Sequence, residues 1–314
     1  MLEEVERWLT RRSWSVGDRT LDRLTAAKAA RGTTVSVVLP ALDEEETVGE
    51  IVAVIRRELM EKVPLVDELV VIDSGSVDGT AKIAAAAGAR VVHRDAILPR
   101  LPALPGKGEV LWRSLLVTTG DIVCFVDADL REFSADFVSG IVGPLLTDPE
   151  VQLVKGMYDR PLNGTAGQGG RVTELVARPL LNLHWPLLAG FVQPLGGEYA
   201  ARRTLLERLP FPVGYGVELG LLVDALHAVG LDALAQVDVG VRIHRHQDGR
   251  ALGRMAAAIY RTAQLRLSRG HLVRPVLTQF ERGEDGFVPR THAVDTEERP
   301  PMREIGEYTA GRAA

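Results

Sequence analysis

The chain has 314 residues, 46% hydrophobic and 25% charged, which is enough for one large α/β domain or two modest ones around a substantial core. A formal net charge of -5 excludes a global basic field that would recruit nucleic acid, though not a local basic pocket. The lone cysteine, Cys124, lies inside an apolar run and can form no internal disulfide, which points to packing and a reducing compartment.

The segment Met1 to Trp8 carries acids where a signal peptide needs basic charge, and no run reaches the ~20 apolar residues of a membrane helix. A cytoplasmic protein without a membrane span is expected. Residues 1–30 have a helical apolar spacing (Leu2, Val5, Trp8, Leu9, then Leu21 and Leu24) and predict a helical arm that packs or acts as a lid. Val35 to Leu39 predicts a first buried strand ending at Pro40. Asp43 to Thr47 then supplies a cap and first-turn acids for a helix to about Glu61. Leu69 to Asp73 repeats the scheme, followed by the small-residue turn Ser74 to Thr80, a helix to Ala87-Gly88, and a strand over 89–93. Strand and helix alternating with short loops force right-handed crossovers and a parallel sheet.

Lys107 stands between Gly106 and Gly108, where neither neighbour's side chain hinders its approach to a phosphate, and a helix is predicted from Glu109 to Thr118. Neither the G-x-x-x-x-G-K-[ST] loop nor a G-x-G-x-x-G after strand one is present. The run Ile122 to Val126 predicts a buried strand that delivers Asp127-Ala128-Asp129 to the carboxyl edge of the sheet, where open α/β folds bind ligands. Two carboxylates there would repel each other unless a hard cation such as Mg2+ or Mn2+ bound them together with a diphosphate. D-x-D alone is a weak signal, and its context carries the metal reading.

A helix over 135–146 and a strand over 151–158 follow, then the glycine-rich stretch Asn163 to Gly170, which opens on a helix beginning Arg171-Val172-Thr173-Glu174. That arrangement suits a phosphate or carboxylate. Gln193 to Ala200 predicts a glycine turn close to a ligand, and Phe211 to Gly216, containing Tyr215, precedes a helix from Val217 and Glu218 to about Val229. A strand from Leu234 runs into Arg242, His244, Arg245 and His246, where the i, i+2 histidines point one way and one of them could bind metal. A helix from Arg250 to about Ser268 comes next, and the acid- and proline-rich tail is predicted to be partly mobile.

Pro40 to Glu45, Val71 to Thr80 and the Asp127/Asp129 pair resemble GT-A glycosyltransferases. Lys107, Gly170 to Leu175, Gln193 to Tyr199 and Arg242 to Arg245, in that order and spacing, are similar to the glucosyl-3-phosphoglycerate synthase family of actinobacteria from about residue 5 to 270. The resemblance implies an α/β fold with a GT-A-type nucleotide-binding half (31–130), a mostly parallel sheet, and a C-terminal acceptor-binding half (131–270), flanked by the arm 1–30 and the tail 271–314. It implies retaining transfer of glucose from UDP-glucose to the 2-hydroxyl of 3-phosphoglycerate with Mg2+ or Mn2+, in a cytoplasmic homodimer serving methylglucose lipopolysaccharide biosynthesis. Pro40, Leu42, Glu44, Asp73 and Ser74 would hold the uridine, and Lys107 the nucleotide or its diphosphate. Asp129 and His244 would ligate the metal, with Asp127 supporting ribose or metal geometry. Gly170, Arg171, Thr173 and Tyr215, helped by Arg242 and His246, would bind the acceptor. Glu218 would orient the glucose, and the Leu195 carbonyl would steady its cationic carbon. The family usually has Asp-Ser-Asp, where this chain has Ala128.

No obvious carboxylate nucleophile stands out beyond Glu218, whose implied role is to orient the glucose, so retention is expected by a same-face route in which the leaving phosphate takes the acceptor's proton. Four rival readings share much of this pattern: mannosyl transfer from GDP-mannose to 3-phosphoglycerate, sugar transfer to a polyprenyl phosphate, a non-catalytic nucleotide-sugar binding module, and sugar-1-phosphate nucleotidyl transfer. The last usually has a G-x-G-T-R-type loop where this chain has Pro40-Ala41-Leu42-Asp43.

Overall fold

A computed structural model describes residues 2–160, 170–243, 248–267, 276–283, 286–293 and 297–312, with backbone alone over 276–283 and 286–291. Twelve strands are formed in the described residues: β1 Ser13–Ser15, β2 Val35–Ala41, β3 Glu68–Asp73, β4 Arg90–His93, β5 Ile122–Phe125, β6 Leu153–Asp159, β7 Tyr199–Arg202, β8 Phe211–Pro212, β9 Leu234–Val241, β10 Val276–Gly283, β11 Gly286–Ala293 and β12 Glu298–Arg299. The α-helices are α1 Glu3–Arg12, α2 Leu21–Arg31, α3 Val48–Arg56, α4 Thr80–Ala87, α5 Lys107–Val117, α6 Asp136–Thr147, α7 Arg178–His184, α8 Arg203–Leu206, α9 Val217–Val229, α10 Gly249–Leu267 and α11 Gly306–Arg312.

Eight strands form one sheet in the order β1-β9-β6-β7-β5-β2-β3-β4. Every neighbouring pair is parallel except the two made by β7, which runs antiparallel between β5 and β6. The α/β fold with a mostly parallel sheet is therefore as the sequence predicts. The sheet passes without a break from the segment 31–130 into 131–270, because Cys124 and Phe125 of β5 sit opposite Ala200 and Tyr199 of β7. The predicted glycine turn over 193–200 thus ends inside a central strand.

Successive residues of a strand face opposite sides, and the two cores follow that alternation. Val37, Leu39, Val71 and Cys124 pack with Ile51 and Ile55 of α3 and Val138 and Ile141 of α6. Val38, Val70, Ile72, Val123 and Phe125 pack on the other side with Leu111 and Trp112 of α5 and Leu219 and Leu222 of α9.

The N-terminal arm is a packing element. Val5 and Trp8 of α1 are buried, Trp8 Nε1 donates to the Leu234 carbonyl at 2.7 Å, and β1 covers the edge of β9. Part of the tail, over 298–312, packs on the fold. Met302, Ile305 and Tyr308 are buried in the second core, and Tyr308 lies against the buried Arg203.

Candidate active site

Three strands, β2, β3 and β5, end side by side, with Ala41 opposite Asp73 and Val38 opposite Phe125. The chain leaves β5 still bonded to β2 through Val126 N and the Val38 carbonyl (3.1 Å), and so presents Asp127 and Asp129 at the carboxyl edge. Between them Ala128 turns its methyl into the apolar core while its carbonyl accepts from Thr47 Oγ1 at 2.5 Å. The small apolar residue at this position is a packing choice, and both acids keep their direction.

Lys107 opens α5 and reaches the Asp127 carboxylate and, at 2.9 Å, Glu218 Oε1 in the first turn of α9. Its flanking glycines, read from the sequence as giving access to a phosphate, also have a packing cause. A Cβ on Gly106 would collide with the Val213 carbonyl, and one on Gly108 with that of Pro212, so the backbone of β8 lies flush against this loop. Gly106 also has φ +128°, a conformation that only glycine adopts readily.

Arg242 follows β9, where its N–H donates to the Asp159 carbonyl (2.9 Å) and the next carbonyl accepts from Arg131 N (3.0 Å). Its guanidinium binds Glu198 Oε1 through Nε (2.9 Å), and through Nη2 binds Asp127 Oδ2 (2.7 Å) and Asp129 Oδ1 (3.3 Å). Arg242, predicted to help bind the acceptor, is ion-paired to three carboxylates from three segments and also lines the cleft. Below it, the buried Lys155 of β6 donates to the Gly196 carbonyl at 2.7 Å and lies over the Tyr199 ring.

The two acids differ electrostatically. Burial pushes the Asp127 carboxyl up, but Lys107 and Arg242 outweigh it and hold the group at about 2. Burial also raises Asp129, and there Arg242 is offset by the charges of Asp127 and Glu198, so the carboxyl stays above its ordinary value. A half-buried carboxylate short of positive charge, with a second one beside it, has the donor chemistry that a hard divalent cation takes when phosphate oxygens complete its shell. Among the described residues no group of three or more His, Cys, Asp or Glu side chains is arranged to hold a metal. His244 and His246, predicted as metal and acceptor ligands, lie outside the described residues.

A cleft of about 900 Å3 opens over this cluster. Pro40, Leu42, Glu44 and Ser74 line one part, and Gly170, Arg171, Thr173, Leu195 and Tyr215 also line it, together with Lys107, Asp127, Asp129, Glu218 and Arg242. Asp73 is set apart from these: it is buried, and its carboxylate accepts from the Ser76 hydroxyl at 2.5 Å, so it braces the β3–α4 turn. Gly170, at φ +76°, directs the chain into the helical turn that carries Arg171 and Thr173. The sequence assigned no site role to Lys155, Glu198 or Arg94. A charged Lys155 inside the apolar run of β6 was the available signal, since a strand position buried on both faces takes a cation only when something nearby needs it. Arg94, at the end of β4, also lines the cleft.

Residues 36–170 match the family model described as glycosyl transferase family 2. The chain is 53% identical over 302 residues to glucosyl-3-phosphoglycerate synthase of Mycolicibacterium smegmatis, with 94% of this chain and 97% of that one covered. It is similar to the crystal structure of glucosyl-3-phosphoglycerate synthase from Mycobacterium tuberculosis in complex with Mn2+, UDP-glucose and phosphoglyceric acid (TM-score 0.82, 49% identity, 91% and 95% of the two chains). It is also similar to that of mannosyl-3-phosphoglycerate synthase from Rubrobacter xylanophilus (TM-score 0.89, 41% identity, 96% and 97%).

Proposed function

The chain belongs to the glucosyl-3-phosphoglycerate synthases, and from that premise we propose that it transfers glucose from UDP-glucose to the 2-hydroxyl of 3-phosphoglycerate, with retention of configuration and dependence on Mg2+ or Mn2+. The observation that carries the reading is the meeting of Lys107, Asp127, Asp129 and Arg242 at the carboxyl edge of the sheet, in one cleft with the Gly170-Arg171-Thr173 helix start. Anions gather at such helix starts because unpaired N–H groups and the helix dipole face them.

In this reading Pro40, Leu42, Glu44 and Ser74 hold the uridine, and Lys107 meets the diphosphate. Asp129, with Asp127 beside it and His244 as a further ligand, holds the ion. Bound there, Mg2+ or Mn2+ supplies the charge neutralisation that the departing diphosphate needs. Gly170, Arg171, Thr173 and Tyr215 hold the acceptor by its anionic groups, with Arg242 and His246 as added contacts. Glu218 is ion-paired to Lys107 and orients the glucose. Lys155, by gripping the Gly196 carbonyl, fixes the turn that carries the Leu195 carbonyl towards the sugar. The acceptor hydroxyl enters on the face that UDP leaves and gives its proton to the leaving phosphate oxygen. A glucosyl adduct trapped on Glu218 would overturn this route in favour of a double displacement.

UDP release from UDP-glucose, measured with and without 3-phosphoglycerate and divalent metal, tests the reaction. Turnover should need all three and stop on chelation. The likeness to mannosyl-3-phosphoglycerate synthase makes GDP-mannose the necessary second donor, and faster turnover with it would reassign the sugar. We also propose a cytoplasmic homodimer acting in methylglucose lipopolysaccharide biosynthesis, as the resemblance implies. Exposed Leu175 and Leu183 on one helical segment support self-association, which light scattering would check.

A further inference from the structure

We infer that Arg299, outside the cleft, is a positioning residue that holds Lys107 in place for the donor diphosphate. The inference rests on the donor site proposed above. Lys107 is the first residue of α5, and a helix start has no preceding turn to fix it. What fixes it here comes from elsewhere in the chain. Glu109 N donates to the Val213 carbonyl at 3.1 Å, and β8 lies against both glycines that flank Lys107. β8 belongs to no other strand pair among the described residues than that with β12, where Pro212 faces Glu298 and Phe211 faces Arg299, and Val213 N donates to the Glu297 carbonyl at 3.1 Å.

The side chains repeat the connection. Arg299 spans the Glu109 carboxylate, Nε to Oε2 at 2.7 Å and Nη2 to Oε1 at 2.9 Å, and also donates to the Pro102 carbonyl at 2.8 Å. Glu109 is fully buried and receives Arg113 Nε on the same carboxylate at 2.7 Å. Trp112 Nε1 donates to the Pro300 carbonyl at 2.9 Å, and Arg299 lies over the Trp112 ring. The next residue out, Glu298, pairs with Arg266 of α10 at 2.8 Å, and Arg266 also holds Asp224 of α9. A planar guanidinium bonded at two points fixes the orientation of its partner, which a single-point ammonium does not. The segment 297–300 is thus a strap that sets the first turn of α5 and, through β8, the chain entering α9 at Glu218. Lys107 and Glu218 are the two residues whose side chains meet over Asp127.

The test compares the full-length wild type with Arg299→Met and Arg299→Lys, at a temperature well below the melting point of each variant. Three quantities are read: kcat, UDP affinity by calorimetry with Mn2+ present, and the KM for 3-phosphoglycerate. Positioning predicts that Arg299→Met loses about tenfold or more in kcat and in UDP affinity, with the acceptor KM within about twofold of wild type. Arg299→Lys, which keeps the charge but cannot span both carboxylate oxygens and Pro102, should lose about threefold to tenfold and should report alone if the methionine variant fails to fold. Wild-type kcat and UDP affinity in a folded variant would show a merely structural role and overturn the inference. A wild type that does not turn over UDP-glucose would overturn the functional reading, and this inference with it.

Discussion

Lys107 and Glu218 lie in the first turns of two different helices, and their side chains meet at 2.9 Å where the lysine also holds the Asp127 carboxylate. The ammonium is held between the half-buried Asp127 and the buried Glu218, which keep it charged well above the ordinary lysine range despite the desolvation of the site. A permanent cation at the edge of the cleft is what a diphosphate leaving group requires. Lys107→Met should therefore lower kcat by about 10²–10³, the usual effect of removing one preorganised charge-stabilising donor. Steady-state kinetics would check this. A loss of under threefold would mean that the lysine serves only its two carboxylates.

Gly197 has no room for a side chain. A Cβ there would fall on the Asp127 carboxylate and the Lys107 ammonium. Gly197→Ala should cut turnover by about 10² or more, because displacing a reacting constellation by an ångström costs that much. Melting curves and kcat together test the point: a fully active alanine variant would mean that the turn yields.

Arg242→Met should damage stability as well as activity. Glu198 is fully buried and takes its cation from Arg242, so the variant leaves a buried acid without its partner at a cost of about 3–5 kcal/mol. Urea unfolding would measure it. If Arg242 served the acceptor alone, stability would be unchanged and only the KM for 3-phosphoglycerate would rise.

Burial pushes the Lys155 ammonium down to about 8, with Glu218 the largest opposing influence. Between that value and the ordinary ~10.4, the unfolded chain holds a proton that the folded one has lost, so stability rises with pH across this window, by up to about 3 kcal/mol. Below pH 8 the fold carries the full cost of the buried charge. Lys155→Met should flatten the rise between pH 8 and 10 in urea titrations and stabilise the protein at pH 7. Its kcat should fall, since the Gly196 carbonyl loses its donor. An unchanged alkaline rise in the variant would assign it to another group.

The strands β2, β3 and β5 and their terminal acids were legible in the sequence because each is a short apolar run with acids just beyond it, the pattern of a strand buried on both faces. The helix Val217–Val229 has its predicted bounds, set by Gly216 and Gly230. The commitment of Arg242 was not legible, because its three carboxylates come from Asp127, Asp129 and Glu198, and no local periodicity links those positions to residue 242. The strand Tyr199–Arg202 was hidden behind a glycine pair that looks like a turn and is one until Glu198. In the tail, acids and prolines outweighed the signal that mattered: Met302, Ile305 and Tyr308 recur every third residue and are all buried.

Phe211 and Pro212 find their strand partner only at Glu298 and Arg299, long after the central sheet has all its members. During synthesis the large sheet can form while the donor lysine is still unseated, because domains assemble as their segments emerge. A chain cut before that partner would lose the seat of Lys107 together with the buried Met302, Ile305 and Tyr308, so one late segment serves both the site and the core.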